Sequence, residues 1–370
     1  MSVLRVMVVD DSTVFRQAMS RILATIPDVE VVATAANGHA ALQRLKVSPV
    51  DVMTLDVEMP GLGGLETLAE LAKTTPAPCE VVMVSGATLK GAETTVKALE
   101  LGAYDFVSKP ANGSAAANEQ SLRAQLVPII SALKARHLMR GHGGPRPALR
   151  AIPAPPPIAP RPSPLGGCGD LHAHHHPVHL VAIGISTGGP AALAQLVPMF
   201  PAHFPVPIVL VQHMPPGFTA SLALSLARKS ALKVVEATHG TRLAPGHLYI
   251  APGGSQMRLA DRPTGHVLEV TDDAPENNCK PSVDYLFRSV AEHYGPRAVG
   301  VIMTGMGSDG VAGLRLMRDA GAYVLAQDAE TSTVHGMPGE AIKAGVVHET
   351  LALDKIACRL GLLTRARGAA

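Results

Sequence analysis

V-A-I-G-I-S-T-G-G-P, residues 181–190, is an apolar run that stops at a serine held between glycines. A short, continuous apolar run ended by glycine reads as a buried strand. The residues after it read as a tight turn opening a helix over 191–198, with Pro190 suited to the first helical turn and Pro198 marking the stop. Ser186 then stands at the carboxyl end of a strand, beside free helical N–H groups. Gly184-Ile185-Ser186-Thr187-Gly188 also fits G-x-S-x-G, the elbow in which glycines relieve crowding so that a serine oxygen projects from the turn. A glycine-rich βα turn that cradles a phosphate has the same pattern. What separates the two is whether a base and an orienting acid reach the same edge.

Further along, a strand at 207–212 leads to His213 and a helix over 219–229, and a strand at 298–303 leads to T-G-M-G-S-D-G and a helix through Leu314 and Met317. Strands that alternate with helices form a parallel sheet, whose carboxyl ends gather at one edge. Three such ends carry Ser186, His213 and Asp309, so residues distant in sequence can meet there. His213 would remove the Ser186 proton and later protonate the leaving group, while Asp309 would hold the imidazole tautomer. The N–H groups near Ser186 and the loop around Met306 are candidates for an oxyanion site worth about 3 kcal/mol. The chain order Ser, His, Asp differs from that of α/β-hydrolases, chymotrypsin and subtilisin. Other readings stay open: His213 before Pro215-Pro216 could only line a loop, His239 and His335 are other imidazoles, and Asp309 could simply cap the next helix. Neither G-x-x-x-G-G nor G-M-G-S-D-G is the dinucleotide fingerprint.

Upstream, strands are expected at 4–9, 29–33, 50–55, 80–84 and 105–107, with a first helix opened by Ser12 and carrying Phe15, Met19, Ile22 and Leu23 at helical spacing. Their carboxyl ends gather Asp10, Asp11, Asp56, Ser85 and Lys109. Three carboxylates at one edge repel one another unless a cation joins them, and a hard ion such as Mg²⁺ is the natural occupant. Lys109 can then pair with an incoming phosphoryl group, and Ser85 can donate to it.

At 370 residues, 47% hydrophobic and 17% charged, the chain has the core for two ordinary domains. A net charge of +2, aromatics at 3% and no Trp leave neither a basic footprint nor stacking platforms for nucleic acid. Cys79, Cys168, Cys279 and Cys358 are far apart with no C-x-x-C pair, which argues against a zinc knot or disulfide framework and fits a reducing cytoplasm. The apolar N-terminus runs into Asp10-Asp11 without a cleavage site, and no segment is long and apolar enough for direct membrane insertion. Prolines crowd residues 145–164, so 137–177 reads as a semi-rigid linker. His172, His174, His175, His176 and His179 form a tract that can attract a transition metal, but without cysteines or acids at ligand spacing it reads as lacking a structural one.

V-V-D-D-S (8–12), L-D-V-E-M-P (55–60), V-S-G-A (84–87) and V-S-K-P (107–110) resemble the receiver domain of bacterial response regulators. That resemblance implies a flavodoxin-like parallel five-stranded sheet over residues 1–136. It also implies that Asp56 accepts phosphate from a histidine kinase, that Asp10, Asp11 and Asp56 hold Mg²⁺, and that Ser85, Phe106 and Lys109 form the switch. Gly63 departs from the pattern at a position often occupied by Asp.

G-I-S-T-G-G (184–189), V-Q-H-M-P-P-G-F-T (211–219), P-G-H-L-Y-I-A-P-G (245–253), P-S-V-D-Y-L-F (281–287), M-T-G-M-G-S-D-G (303–310) and H-G-M-P-G-E-A-I (335–342) resemble, in this order, the chemotaxis protein-glutamate methylesterase family. The implied architecture is a doubly wound parallel α/β domain over 178–364, followed by a disordered tail over 365–370. The implied activity is hydrolysis of γ-glutamyl methyl esters, and deamidation of certain glutamines, on the cytoplasmic domains of methyl-accepting chemotaxis receptors. Ser186 is then the nucleophile, His213 the base, Asp309 its orienting acid, and Thr187 and the Met306 backbone supports of the oxyanion; the esterase needs no cofactor. Ile185 replaces the alanine common beside the nucleophile. The receiver is expected to cover the Ser186 edge until Asp56 is phosphorylated, a tether keeping its effective concentration high. The rivals are an esterase or amidase acting outside chemotaxis, and a phosphorylation-dependent binding module without turnover.

Overall fold

The computed structural model describes residues 3–74, 78–86, 88–110, 113–140, 176–263 and 265–365. They fall into two compact units.

In the first unit, apolar strands alternate with amphipathic helices: β1 (Leu4–Val9), α1 (Thr13–Ala24), β2 (Val29–Ala35), α2 (Gly38–Leu45), β3 (Val52–Asp56), α3 (Gly64–Ala72), β4 (Glu80–Gly86), α4 (Leu89–Glu100), β5 (Asp105–Lys109) and α5 (Ala115–Arg140). Ser12 caps α1 by accepting the Phe15 N–H, as its side chain suits. The five strands pair in parallel in the order β2-β1-β3-β4-β5. Strand order reverses between β1 and β3, which opens a crevice beyond their carboxyl ends. Asp10 and Asp56 stand there. At Gly63 the N-cap of α3 lacks a side-chain hydrogen bond.

The second unit runs β6 (Leu180–Ile185), α6 (Gly189–Leu196), β7 (Ile208–Gln212), α7 (Phe218–Ala227), β8 (Lys233–Glu236), β9 (Thr241–Arg242), β10 (His247–Ile250), β11 (Gln256–Arg262), β12 (Gly265–Thr271), α8 (Val283–Tyr294), β13 (Ala298–Ile302), α9 (Val311–Asp319), β14 (Tyr323–Gln327), α10 (Gly336–Lys343), β15 (Glu349–Leu351) and α11 (Leu353–Leu363). Seven strands form a parallel sheet in the order β15-β14-β13-β6-β7-β10-β8. Every residue of β6, β7 and β13 is buried, as expected for strands covered on both faces. From β6 the chain moves outward through β7 on one side and later returns to place β13 on the other. The switch point of the sheet therefore lies at the end of β6.

The structure departs from the sequence expectations in several places, beginning with β8, β10, β14 and β15, which join the expected β6, β7 and β13 in one sheet. A separate antiparallel sheet, β11-β12-β9, was not anticipated. The helix expected over 191–198 begins at Gly189 and gives way to a 3-10 turn at Val197–Met199, because Gly188 supplies a left-handed turn that starts it early. Of the expected linker, residues 137–140 continue α5 and 141–175 lie outside the described residues, as do His172, His174 and His175 of the histidine tract and residues 366–370 of the tail.

Candidate functional site

β6 delivers Ser186 between the ends of its two neighbours, β7 and β13. The Ser186 N–H donates to the Thr304 carbonyl at 2.9 Å, and its carbonyl accepts from Gly189 N at 2.8 Å and Gln212 Nε2 at 2.9 Å. Both sides of the serine are thus fixed to adjacent strand ends. Gly188 has φ +76°, and a Cβ there would lie 2.4 Å from Thr333 Cβ, so the turn admits no larger residue. Across the crevice a Cβ on Gly305 would lie 2.8 Å from Ser186 Cβ and 2.3 Å from Met337 Sδ.

His213 follows β7 directly, and Asp309 lies in the loop between β13 and α9. His213 Nε2 is 2.8 Å from Asp309 Oδ2. Asp309 is 3% exposed and meets four further donors. Asn277 Nδ2 and Ser282 Oγ reach Oδ1 at 2.9 Å each, the Val283 N–H reaches Oδ2 at 2.7 Å, and the Asp284 N–H reaches Oδ1 at 3.2 Å. The last two belong to the first turn of α8, whose free N–H groups and dipole favour an anion. Burial pushes the Asp309 carboxyl upward, but the bond to His213, its charge, and the Asn277 and Val283 donors outweigh burial and hold it well below the usual carboxylate range. Its buried neighbour Asp284 moves the other way, raised by burial and by the charge of Asp309.

Burial lowers the His213 imidazole, yet the bond to Asp309 and the Cys279 thiol override it and the pKa is pushed up to about 9. An ionised carboxylate only accepts, so Nε2 carries the proton and Nδ1 is the basic nitrogen when the ring is neutral. Nδ1 faces the half-buried Cys279 Sγ at 3.8 Å. The Ser186 hydroxyl is hydrogen-bonded to neither His213 nor Asp309. The structure thus pairs His213 with Asp309 and brings Ser186 to the same edge without closing a serine–imidazole contact. Of the other imidazoles, His239 Nδ1 lies 3.1 Å from the Val270 carbonyl. His335 precedes α10 with its pKa lowered by burial.

The Ser186 N–H expected near an oxyanion is spent on Thr304. Thr187 is buried, and its carbonyl accepts from Thr304 Oγ1 at 2.9 Å. The Met306 N–H makes no hydrogen bond among the described residues. Sequence reasoning missed Gln212, which donates to both the Ser186 and His213 carbonyls. It also missed Asn277, whose amide bridges Asp309 and Asp284 Oδ2 at 2.9 Å each. Asn277 sits in an aperiodic loop at φ +53°; its only sequence signal is asparagine's tolerance of that conformation.

In the first unit, Lys109 Nζ lies 2.7 Å from both Asp10 Oδ2 and Asp56 Oδ2. One oxygen from each of Asp10, Asp11 and Asp56 falls within 4.8 Å of the others. The Asp56 carboxyl is pushed up to about 6 by burial and by Asp10, against the pull of Lys109. Three carboxylates facing one ammonium leave excess negative charge, and this oxygen-only set fits a hard dication such as Mg²⁺. Ser85 is buried with Oγ 3.2 Å from the Gly86 carbonyl, to which it donates, and Phe106 is half-buried on β5. No helix among the described residues is long and apolar enough to cross a membrane.

Residues 181–360 match the family described as CheB methylesterase, and residues 6–118 match the response regulator receiver domain. A protein-glutamate methylesterase/protein-glutamine glutaminase of Desulfotalea psychrophila is 43% identical over 358 residues, covering 96% of both chains. One of Salmonella typhimurium is 43% identical over 357 residues, covering 96% of this chain and 95% of its own. The crystal structure of the Thermotoga maritima CheB methylesterase catalytic domain is similar at TM-score 0.50 and 41% identity, covering 50% of this chain and 98% of that one.

Proposed function

Because the chain belongs to the CheB methylesterase family and carries a receiver domain, we propose that it demethylates γ-glutamyl methyl esters, and deamidates glutamines, on the cytoplasmic domains of methyl-accepting chemotaxis receptors. Phosphorylation of Asp56 by a histidine kinase raises this turnover. The observation that carries the reading is the His213–Asp309 pair at the same sheet edge as Ser186, on three adjacent strand ends.

The chemistry follows from the tautomer. Asp309 keeps the proton on Nε2, so Nδ1 takes the Ser186 proton as Oγ bonds to the ester carbon. In this reading the Ser186–Nδ1 contact closes only when substrate is bound and Cys279 gives way; such contacts commonly tighten only in the complex. We assign the Met306 N–H and Thr187 to the oxyanion. When the tetrahedral intermediate collapses, the carbon–methoxy bond breaks and methanol leaves with the proton from Nδ1. Water then repeats the sequence on the acyl-serine, giving glutamate and free Ser186; with a glutamine substrate the leaving group is ammonia.

In the receiver, Asp10, Asp11 and Asp56 would hold Mg²⁺, which supplies positive charge toward an incoming phosphoryl group. Lys109 pairs with the same anion, and Ser85 and Phe106 respond to it. The test is methanol release from methylated receptors, with and without a small phosphodonor. Ser186→Ala should release none, and Asp56→Asn should keep a basal rate that the phosphodonor leaves unchanged. Release by Ser186→Ala at the wild-type rate refutes the proposal.

A further inference from the structure

β11 and β12 pair antiparallel with Asp261 directly opposite His266, so their side chains share one face. The last turn of α8 brings His293 to the same place, and α8 is tied to β11 by Ser289 Oγ, which accepts the Leu259 N–H at 3.0 Å. His266 Nδ1 lies 2.6 Å and His293 Nδ1 3.4 Å from the same oxygen, Asp261 Oδ1. The two rings are 5.5 Å apart between centroids, and all three ligating atoms fall within 4.8 Å of one another. Bonds of about 2.0–2.1 Å to a tetrahedral ion place its ligand atoms about 3.3 Å apart. The observed separations straddle that value.

We propose that Asp261, His266 and His293 form a binding site for a transition-metal dication of the Zn²⁺ class. Two imidazoles and one carboxylate suit zinc, cobalt, nickel or copper, whereas magnesium and calcium prefer oxygen alone. The imidazoles are already placed: His293 is 14% exposed, and His266 lies 4.9 Å from the Tyr294 ring. Asp261 is 70% exposed, so solvent rather than packed side chains surrounds most of its carboxylate. The guanidiniums of Arg258 and Arg262 are both engaged by Glu269, which blunts their repulsion of a cation. An open pocket of about 320 Å³ that includes Asp261 and His293 in its wall leaves room for the remaining coordination positions to be filled by water. The ion would staple the β11–β12 hairpin to the C-terminal end of α8, the helix whose first turn holds Asp309.

The test uses full-length protein in which His172, His174, His175 and His176 are replaced by Ala and Cys279 by Ser, which removes competing donors, with Mg²⁺ in excess. Zn²⁺ binding is measured by equilibrium dialysis, Co²⁺ ligation by visible absorption, and stability by thermal melting. One ion per chain and a Zn²⁺-dependent rise in Tm are expected. His266→Ala and His293→Ala should each weaken binding about tenfold or more and remove the Tm gain, while His239→Ala keeps both. Asp261→Asn retains both rings and serves if an alanine variant fails to fold; it should also weaken binding. Absence of binding in the background protein, or unchanged affinity in the Asp261 variant and in whichever histidine variants fold, overturns the proposal.

Discussion

The raised pKa of His213 gives the site a signature in its pH profile. A base with pKa about 9 is neutral in only about one molecule per hundred at pH 7. For phosphodonor-saturated enzyme, kcat/KM should therefore climb nearly tenfold per pH unit from 7 toward 8.5 and level off above about 9. The rise from 6.5 to about 9 corresponds to roughly 3 kcal/mol favouring the cation, supplied by Asp309 and Cys279 against burial. Asp309→Asn removes the main anion while burial and Cys279 remain, so the His213 pKa should fall, readable by NMR titration of the ring, while kcat falls by about 10⁴. The same shift acts on stability. A raised folded pKa stabilises fully below 6.5, and that contribution is lost as pH rises through 9. Methanol release against pH, with Ser186→Ala as the blank for spontaneous hydrolysis, is the assay. An inflection at or below 6.5 in the wild type, or an imidazole pKa unmoved by Asp309→Asn, would refute the reasoning.

Asn277→Ala deprives two buried carboxylates of one shared donor; urea melts should show a loss of about 2 kcal/mol, with kcat falling more than KM changes. Gly305→Ala puts a methyl against Ser186 and Met337, so stability should drop by about 1–3 kcal/mol and kcat by about 10² as the serine is displaced. Asp56, raised from 3.8 to about 6, contributes stability below pH 3.8 that is lost as pH rises through 6. Asp56→Asn should accordingly melt higher than wild type at pH 8 without Mg²⁺, by up to about 3 kcal/mol, with the gap closing near pH 3.5 and narrowing when Mg²⁺ is added.

β6, β7 and β13 were legible because strands buried on both faces read as unbroken apolar runs, and their ends declared Ser186, His213 and the loop to Asp309. The peripheral strands were not. β9 has two residues, and β11 reads Q-M-R-L-A-D-R, whose alternation is confined to Met257, Arg258 and Leu259 before it runs into Ala260-Asp261-Arg262. Within the site, residue types at strand ends were enough to single out His213 and Asp309, which the structure pairs. Which ring nitrogen faces Asp309 depends on side-chain rotation, which no sequence pattern encodes. That the Ser186 N–H is committed to Thr304 follows from the pairing of β6 with β13, visible only once the strand order is known. Asn277 escaped notice because a loop residue that acts through one amide leaves no period.

The most direct test of the central claim is covalent trapping. Full-length protein treated with an active-site serine reagent such as a phosphonofluoridate, then digested and analysed by mass spectrometry, should carry one adduct, on Ser186. Labelling should speed up with a small phosphodonor and nearly vanish in His213→Ala. An adduct on another residue, or Ser186 labelling that proceeds unchanged without His213, would contradict the account.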